Sequence, residues 1–303
     1  MKAMITVDEL HALKEKGCSL HLIDTLPGEY FEARHIPGAR NACVYEMTFL
    51  ENMAAVVSDP SAPVVVYGAS GRCRSASVAV EKLGRAGYRD VRELEGGLDA
   101  WEAAGLPLDR SAAVTEEMPA LVDGRYAIDI AASRLEWTGR NLNNRHCGTI
   151  NISGGEVTVE NGCPVDGQVI LAMNTIANLD IGNEGYKQML LTHLASDDFF
   201  DVSRYPTATF RISGSEAMPE AFPGSPSHLV KGSLELKGVV RDQEFPAEIA
   251  PQENGQVKVW AKIDIDRTRW GVLYGSGRFF ECLGMHLVSD IITIELFLVA
   301  GKG

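Results

Sequence analysis

Several things that would narrow the function quickly are scarce in this 303-residue chain. It has no basic excess: Asp and Glu outnumber Lys and Arg by 41 to 28, for a formal net charge of −13. Binding to phosphate backbones or to anionic lipid over a broad face needs the opposite balance, so composition favours neither, and nucleic acid is not expected as a partner. No apolar run approaches the roughly 18 residues a membrane span needs; the nearest, Ile291 to Ala300, is broken by Thr293 and Glu295, so no stable membrane insertion is expected. The opening residues lack the apolar core and cleavage site of a secretory leader. The six cysteines (18, 43, 73, 147, 163 and 282) form no regular framework. Free thiols and a cytoplasmic protein are the expectation. Metal-ligand spacing is missing too. His146-Cys147 and Cys282 with His286 fit no finger or ribbon, and Asp197, Asp198 and Asp201 read as a helix end and loop cap. No metal and no cofactor are expected.

What is present is a globular composition, 45% apolar and 23% charged, long enough for two cores. Up to about residue 110, short apolar runs alternate with helical patterns. Thr6 can cap a helix over 7–16, Leu20–Asp24 and Val64–Tyr67 read as buried strands, and Ser77–Ala86 reads as a helix stopped by Gly87. Asp90–Leu94 is a further strand, and a last helix around Trp101 closes at Gly105 and Pro107. Such alternation argues for a parallel α/β sheet. Residues 111–123 have no clear period and read as a linker. Beyond Arg125 the pattern becomes strand after strand with Gly, Asn and Pro between, a sandwich or barrel signature with one helical island over Glu184–Leu194.

Chemistry in the first part concentrates in Tyr67–Ser75, a loop between a buried strand and a helix start. Gly68, Ala69, Ser70, Gly71, Arg72, Arg74 and Ser75 can turn backbone N–H groups on an anion. Cys73, flanked by Arg72 and Arg74 at a helix N-terminus, is the candidate nucleophile. His35 begins the turn His35-Ile-Pro-Gly-Ala39 and reads as a turn hydrogen-bonder, and Trp101 as core.

Leu22-Ile-Asp24, His35-Ile-Pro-Gly-Ala39, Val64-Val-Val-Tyr67 with its loop, and Glu95-Gly-Gly97 through Trp101 to Gly105-Leu-Pro107 together resemble a rhodanese-like domain over about residues 4–110. The resemblance implies a parallel sheet flanked by helices, with a site in the loop after the central strand. In that family's sulfurtransferases a cysteine directly after the strand carries sulfur as a persulfide. Here that position is Gly68, and Leu26 stands where active members commonly carry arginine. Both departures favour a non-catalytic module. The alternative is a sulfurtransferase in which Cys73 carries the persulfide.

The second part resembles the YceI-like lipid-binding family over about residues 124–300. The resemblance rests on Tyr126-Ala-Ile-Asp129 with Ser133 and Trp137, His193–Asp201, Tyr205–Phe210, Val230–Gly238, Ile265–Gly271 and Ser289-Asp290. It implies an antiparallel, lipocalin-like β-barrel that binds a polyisoprenoid chain, quinone- or polyprenyl-type. The aromatics Trp137, Phe199, Phe200, Phe210, Trp260, Trp270, Tyr274, Phe279 and Phe280 are the candidate lining of the tunnel or its mouth. Arg267, Arg269 and Arg278 sit beside them in sequence, placed to meet a polar head or to form surface ion pairs. The expectation is thus an α/β domain over 1–110, a linker over 111–123, and an all-β barrel over 124–303. Its partner would be an apolar lipid, with a homodimer possible.

Overall fold

The computed structural model of the chain describes residues 4–111 and 119–303. The chain divides into two compact units, Met1–Glu117 and Met118–Gly303. Most of the segment expected to be a linker lies outside the described residues; of the remainder, Leu121 packs against the core of the second unit. Among the described residues no helix is long and apolar enough to cross a membrane.

The first unit is built on five parallel strands: β1 (Met4–Ile5), β2 (His21–Asp24), β3 (Arg40–Asn41), β4 (Val64–Tyr67) and β5 (Val91–Leu94), ordered β1-β5-β4-β2-β3. Its helices are α1 (Val7–Glu15), α2 (Gly28–Ala33), α3 (Phe49–Val56), α4 (Ser75–Arg85) and α5 (Gly97–Ala103). The unbroken apolar run of β4 follows from its central place, since alternate side chains serve opposite faces. Val64 and Val66 pack with Phe49, Met53, Ala79 and Leu83 from α3 and α4. Val65 and Tyr67 pack with Leu10, Leu98 and Trp101 from α1 and α5. Thr6 caps α1 in a reciprocal box with Glu9. Helix α4 opens at Ser75, two residues before the expected start, and places Ser75 in the site.

The second unit is a closed antiparallel barrel. Its strands are β6 (Gly124–Ile128), β7 (Arg134–Arg140), β8 (Arg145–Glu160), β9 (Cys163–Asn178), β10 (Thr207–Ala217), β11 (His228–Leu236), β12 (Val239–Pro251), β13 (Gln256–Asp266) and β14 (Ile291–Lys302). Strands β6 and β7 both pair with β8 and β14, so they share one position and the ring has eight. The segments 148–152 and 156–159 belong to one long strand. The register with β9 shifts between Ile152 and Gly154, so the glycine pair Gly154-Gly155 bends β8 rather than ending it. Two-residue turns with positive φ, Asn161-Gly162 and Lys237-Gly238, close the β8–β9 and β11–β12 hairpins. Helix α6 (Glu184–Ala195) and residues 196–206 join β9 to β10 at one end of the ring. A short 3₁₀ turn, Arg267–Trp270, begins the other long connection, between β13 and β14, at that same end.

Candidate functional site

Two places in the chain hold groups beyond packing, one in each unit, and they differ in chemistry.

In the α/β unit, β4 delivers the chain into Gly68–Arg74 and α4 takes it away. Helix α5 reaches the loop from the side: the N–H groups of Leu98 and Asp99 each donate at 2.9 Å to the carbonyls of Gly68 and Ala69. Gly97 permits that approach, because a Cβ there would lie 2.6 Å from the Gly68 carbonyl oxygen. With those carbonyls held outward, the loop's N–H groups are free to face inward. A Cβ at Gly68 would lie 2.2 Å from Ser75 Oγ and 3.3 Å from Cys73 Sγ. The space a cysteine at Gly68 would use is therefore taken by the Ser75 hydroxyl, and the displaced thiol of Cys73 reaches the same spot.

Cys73 is half-buried, and its Sγ lies 3.2 Å from Ser75 Oγ. Burial alone would push the thiol up. The Ser75 hydroxyl and N–H, the Ala69 N–H and the Tyr45 hydroxyl outweigh it and hold the thiol below its ordinary value. The Thr25 hydroxyl lies 2.8 Å from both Ser75 Oγ and the Tyr67 carbonyl, fixing the serine in turn. Arg72 and Arg74, expected to activate the thiol, are exposed and do not figure among the groups that shift it. Ser70 steadies the loop, accepting from the Arg72 N–H through Oγ and the Cys73 N–H through its carbonyl. Tyr45 and Thr25 were not singled out in the sequence; nothing local marks residues that are distant along the chain as partners of this loop. His35 stacks on Phe31 and its Nδ1 lies 2.7 Å from the Phe31 carbonyl.

In the barrel the inward side chains leave a cavity of about 200 Å³. The alternation of each strand determines its lining: Val169, Leu171 and Met173 of β9, Phe245, Ala247 and Ile249 of β12, and Ile292, Ile294, Leu296 and Leu298 of β14. Among the described residues only Gln243, Arg267 and Ser289 bring polar side chains to the wall. At the end carrying α6, Leu194, Phe199 and Phe200 close the cavity together with Val288 and Ser289. Phe199 and Phe200 meet edge to face at 5.1 Å.

Of the nine expected aromatics, Trp137, Phe199, Phe200 and Phe210 line this cavity. Trp270 is fully buried beneath the 3₁₀ turn, its indole N–H donating to the Leu234 carbonyl at 2.9 Å. Tyr274 packs edge to face on His193 at 4.3 Å. Trp260 lies on an outward position of β13, between inward Val259 and Ala261, and Phe279 and Phe280 are exposed. The lining is mainly Leu, Ile, Val and Met, which an emphasis on aromatics passes over; strand parity is the signal that finds them.

Arg267 is the only one of the three expected arginines at the cavity wall, and it is 0% exposed. Its guanidinium donates to the carbonyls of Ser289, Val272 and Val288 at 3.0, 2.7 and 3.2 Å, with Asp290 at 3.8 Å and the Phe199 ring 5.4 Å from Cζ. It ties the two ends of the β13–β14 connection to each other. Arg269 bonds Asp242 and Gln243, and Arg278 pairs with Asp266 and Asp290. Among the described residues no group of three or more His, Cys, Asp or Glu side chains is gathered as for a metal.

Comparison with known proteins agrees with this division. The family model of the YceI-like domain matches residues 126–300, and that of the rhodanese-like domain matches residues 6–104. Among solved structures the chain is similar to BcnA of Burkholderia cenocepacia: 23% identity, 57% of this chain and 98% of that one, TM-score 0.44. It is also similar to a polyisoprenoid binding domain from Saccharophagus degradans implicated in plant cell wall breakdown: 15% identity, 59% of this chain and 98% of that one, TM-score 0.44. A curated relative, the HTH-type transcriptional regulator Rv0324 of Mycobacterium tuberculosis, is 36% identical over 110 residues. That match covers 36% of this chain and spans 46% of the relative's length.

Proposed function

Since the chain belongs to the YceI-like family and carries a rhodanese-like domain ahead of that barrel, we propose that its barrel binds and sequesters one long apolar lipid of isoprenoid type. The observation that carries this reading is the cavity, closed by an eight-position ring and walled almost wholly by hydrocarbon. Eight positions give an interior just wide enough to be filled by side chains or to hold one slender ligand. An unbranched or isoprenoid chain gains about 25 cal/mol for each Å² it withdraws from water, and it asks no polar partner of the wall. A quinone or polyprenyl head, if present, lies outside the hydrocarbon lining, because each nitrogen of the Arg267 guanidinium already donates to a main-chain carbonyl. The reaction is sequestration, and no bond is made or broken.

Organic extraction of the purified chain followed by lipid mass spectrometry tests the reading. One isoprenoid species near equimolar amount is expected; a barrel recovered empty from every source, with no uptake of added polyprenol or quinone, overturns it.

The cradle around Cys73 favours a second reading, sulfur transfer. The Cys73 thiolate would attack the outer sulfur of thiosulfate, the S–S bond would break, and sulfite would leave with the electron pair. Cyanide would then take the sulfur from the persulfide as thiocyanate and restore the thiolate. Thiocyanate formation by the full chain, lost in Cys73→Ser, supports this reading; none in either leaves the α/β unit a non-catalytic module.

A further inference from the structure

The end of the barrel that carries α6 is unlike the opposite end. Three connections meet there. The β7–β8 hairpin joins the β13–β14 connection through the Ser289 N–H on the Arg140 carbonyl and through Asn143 Nδ2, 3.7 Å from Met285 Sδ. The β9–α6 connection joins the same group through the Leu179 N–H on the Cys147 carbonyl. The β13–β14 connection closes the cavity together with Leu194, Phe199 and Phe200, and exposed apolar side chains lie on all three connections. Leu142 is 92% exposed and Met285 77%, and Leu179, Met189, Phe279 and Phe280, on the same end of the barrel, are exposed as well. A rim of this kind, set over the lid of a hydrocarbon cavity, marks an interaction surface.

Charge distinguishes the β7–β8 hairpin from the rest of its end, where Glu184, Asp197, Asp198 and Glu281 are exposed and Asp180 bonds His146. The hairpin Arg140-Asn-Leu-Asn-Asn-Arg145 puts Leu142 at its tip between two arginines and holds no acid. Neither arginine forms an ion pair among the described residues; Arg140 donates to the Thr293 hydroxyl. At the opposite end, the loop 217–228 exposes Met218 and Phe222 but carries Glu220 and no Lys or Arg. An acidic molecule that presents one apolar tip flanked by unpaired cations is locally matched to a lipid surface with anionic headgroups, although its net charge is not.

We propose that the α6 end of the barrel docks on an anionic lipid bilayer, with Leu142, Met285, Phe279 and Phe280 entering the headgroup boundary and Arg140 and Arg145 meeting phosphates. This rests on the reading of the barrel as a lipid binder: a ligand insoluble in water is exchanged with the bilayer through the lid that touches it. The contact is peripheral and needs no spanning segment.

Flotation of the full chain with vesicles of phosphatidylcholine and phosphatidylglycerol, against vesicles of phosphatidylcholine alone, tests it. The wild type floats with the mixed vesicles. The pair Leu142→Asp and Met285→Asp, both at exposed positions, lowers the bound fraction roughly tenfold. Arg145→Gln lowers it about fivefold on the mixed vesicles and leaves the neutral ones unchanged. Phe222→Asp, at the opposite end, changes nothing. A wild type that stays with the pellet overturns the proposal, as does an equal loss in Phe222→Asp. So does sedimentation showing that the rim variants dissolve a dimer while vesicle binding is unaltered, since the occupant would then be a second copy of the chain. Mass spectrometry on the same preparations separates the two readings. Lipid recovered without flotation sinks the docking face and spares the cavity, and flotation by a barrel that takes up no lipid does the reverse.

Discussion

In the α/β unit both faces of the sheet are filled and the central strand Val64–Tyr67 is wholly buried, whereas in the barrel the inward side chains stop short of one another and leave about 200 Å³ open. The apolar residue types are the same. What differs is whether helices press onto a sheet or a sheet closes on itself. A filled core pushes chemistry out to its loops, where polar groups and one thiol collect around Cys73. A hollow core is itself the site. The comparison extends to buried acids and bases: among the described residues Asp24 is the one Asp, Glu, Lys or Arg fully hidden in the first unit and Arg267 the one in the second.

The largest effect expected from breaking this pattern is at Arg267. Arg267→Met removes a buried guanidinium that serves three carbonyls, leaving those acceptors without their donor, while Asp290 keeps Arg278. The barrel should lose about 3–5 kcal/mol in a urea titration followed by tryptophan fluorescence. A loss below about 1 kcal/mol would mean the β13–β14 connection is held by its apolar contacts instead.

Asp24 should act in the opposite sense. Burial pushes its carboxyl up to about 6, against the pull of the Leu26 N–H, so the fold prefers it protonated. The α/β unit then loses stability as pH rises from about 4 to 6, by at most roughly 3 kcal/mol, and Asp24→Asn should remove that part of the pH dependence. In the barrel His228 behaves inversely. Burial holds its imidazole below the usual value, against the Gly162 carbonyl, so stability is full above about 6.5 and falls as pH drops through the lowered value. Unfolding midpoints across pH 4–8 for Asp24→Asn and His228→Gln should diverge from wild type at opposite ends of the range.

Packing itself can be tested with one substitution in each core. Ala79 and Ala247 are both 0% exposed, the first against the filled α4 face and the second at the cavity wall. Ala79→Phe should cost about 1–3 kcal/mol through overpacking. Ala247→Phe should cost less than about 1 kcal/mol and reduce lipid uptake, because its ring has room to enter. Equal costs would show that the cavity is not available to a side chain.

The fold was legible because local pattern and global topology agree. The continuous run Val64–Tyr67 announces a strand covered on both faces, and the alternation through Phe245–Ile249 announces one with an inside and an outside. The sites were legible in part. Gly68 and Cys73 stand out against the rhodanese-like pattern, yet Thr25 and Tyr45 come to the thiol only because β2 lies beside β4 and the chain after β3 folds back over the loop. In the barrel, aromatic content pointed to Trp260, which its parity places outside, while Met173 and Ile294 line the cavity without any motif to announce them. Parity is a property of register, and register is set by bends such as that at Gly154.

The smallest effect separates the thiols of the two units. Cys73 and Cys147 are both half-buried and free, so exposure alone gives no reason for different reactivity. Their surroundings do. Hydrogen bonds from Ser75, Ala69 and Tyr45 overcome burial and lower the Cys73 thiol, whereas burial and the Asp180 carboxylate raise that of Cys147. Iodoacetamide labelling read residue by residue should therefore reach half-maximal rate at lower pH for Cys73 than for Cys147. Ser75→Ala takes away the hydroxyl, and the Cys73 profile should move towards that of Cys147, with a several-fold slower rate near pH 7. The Ser75 N–H remains in that variant, so the shift should be partial. A profile that does not move would assign the lowered value to the backbone N–H groups of Ser75 and Ala69 and to the Tyr45 hydroxyl, donors that would serve any anion placed there.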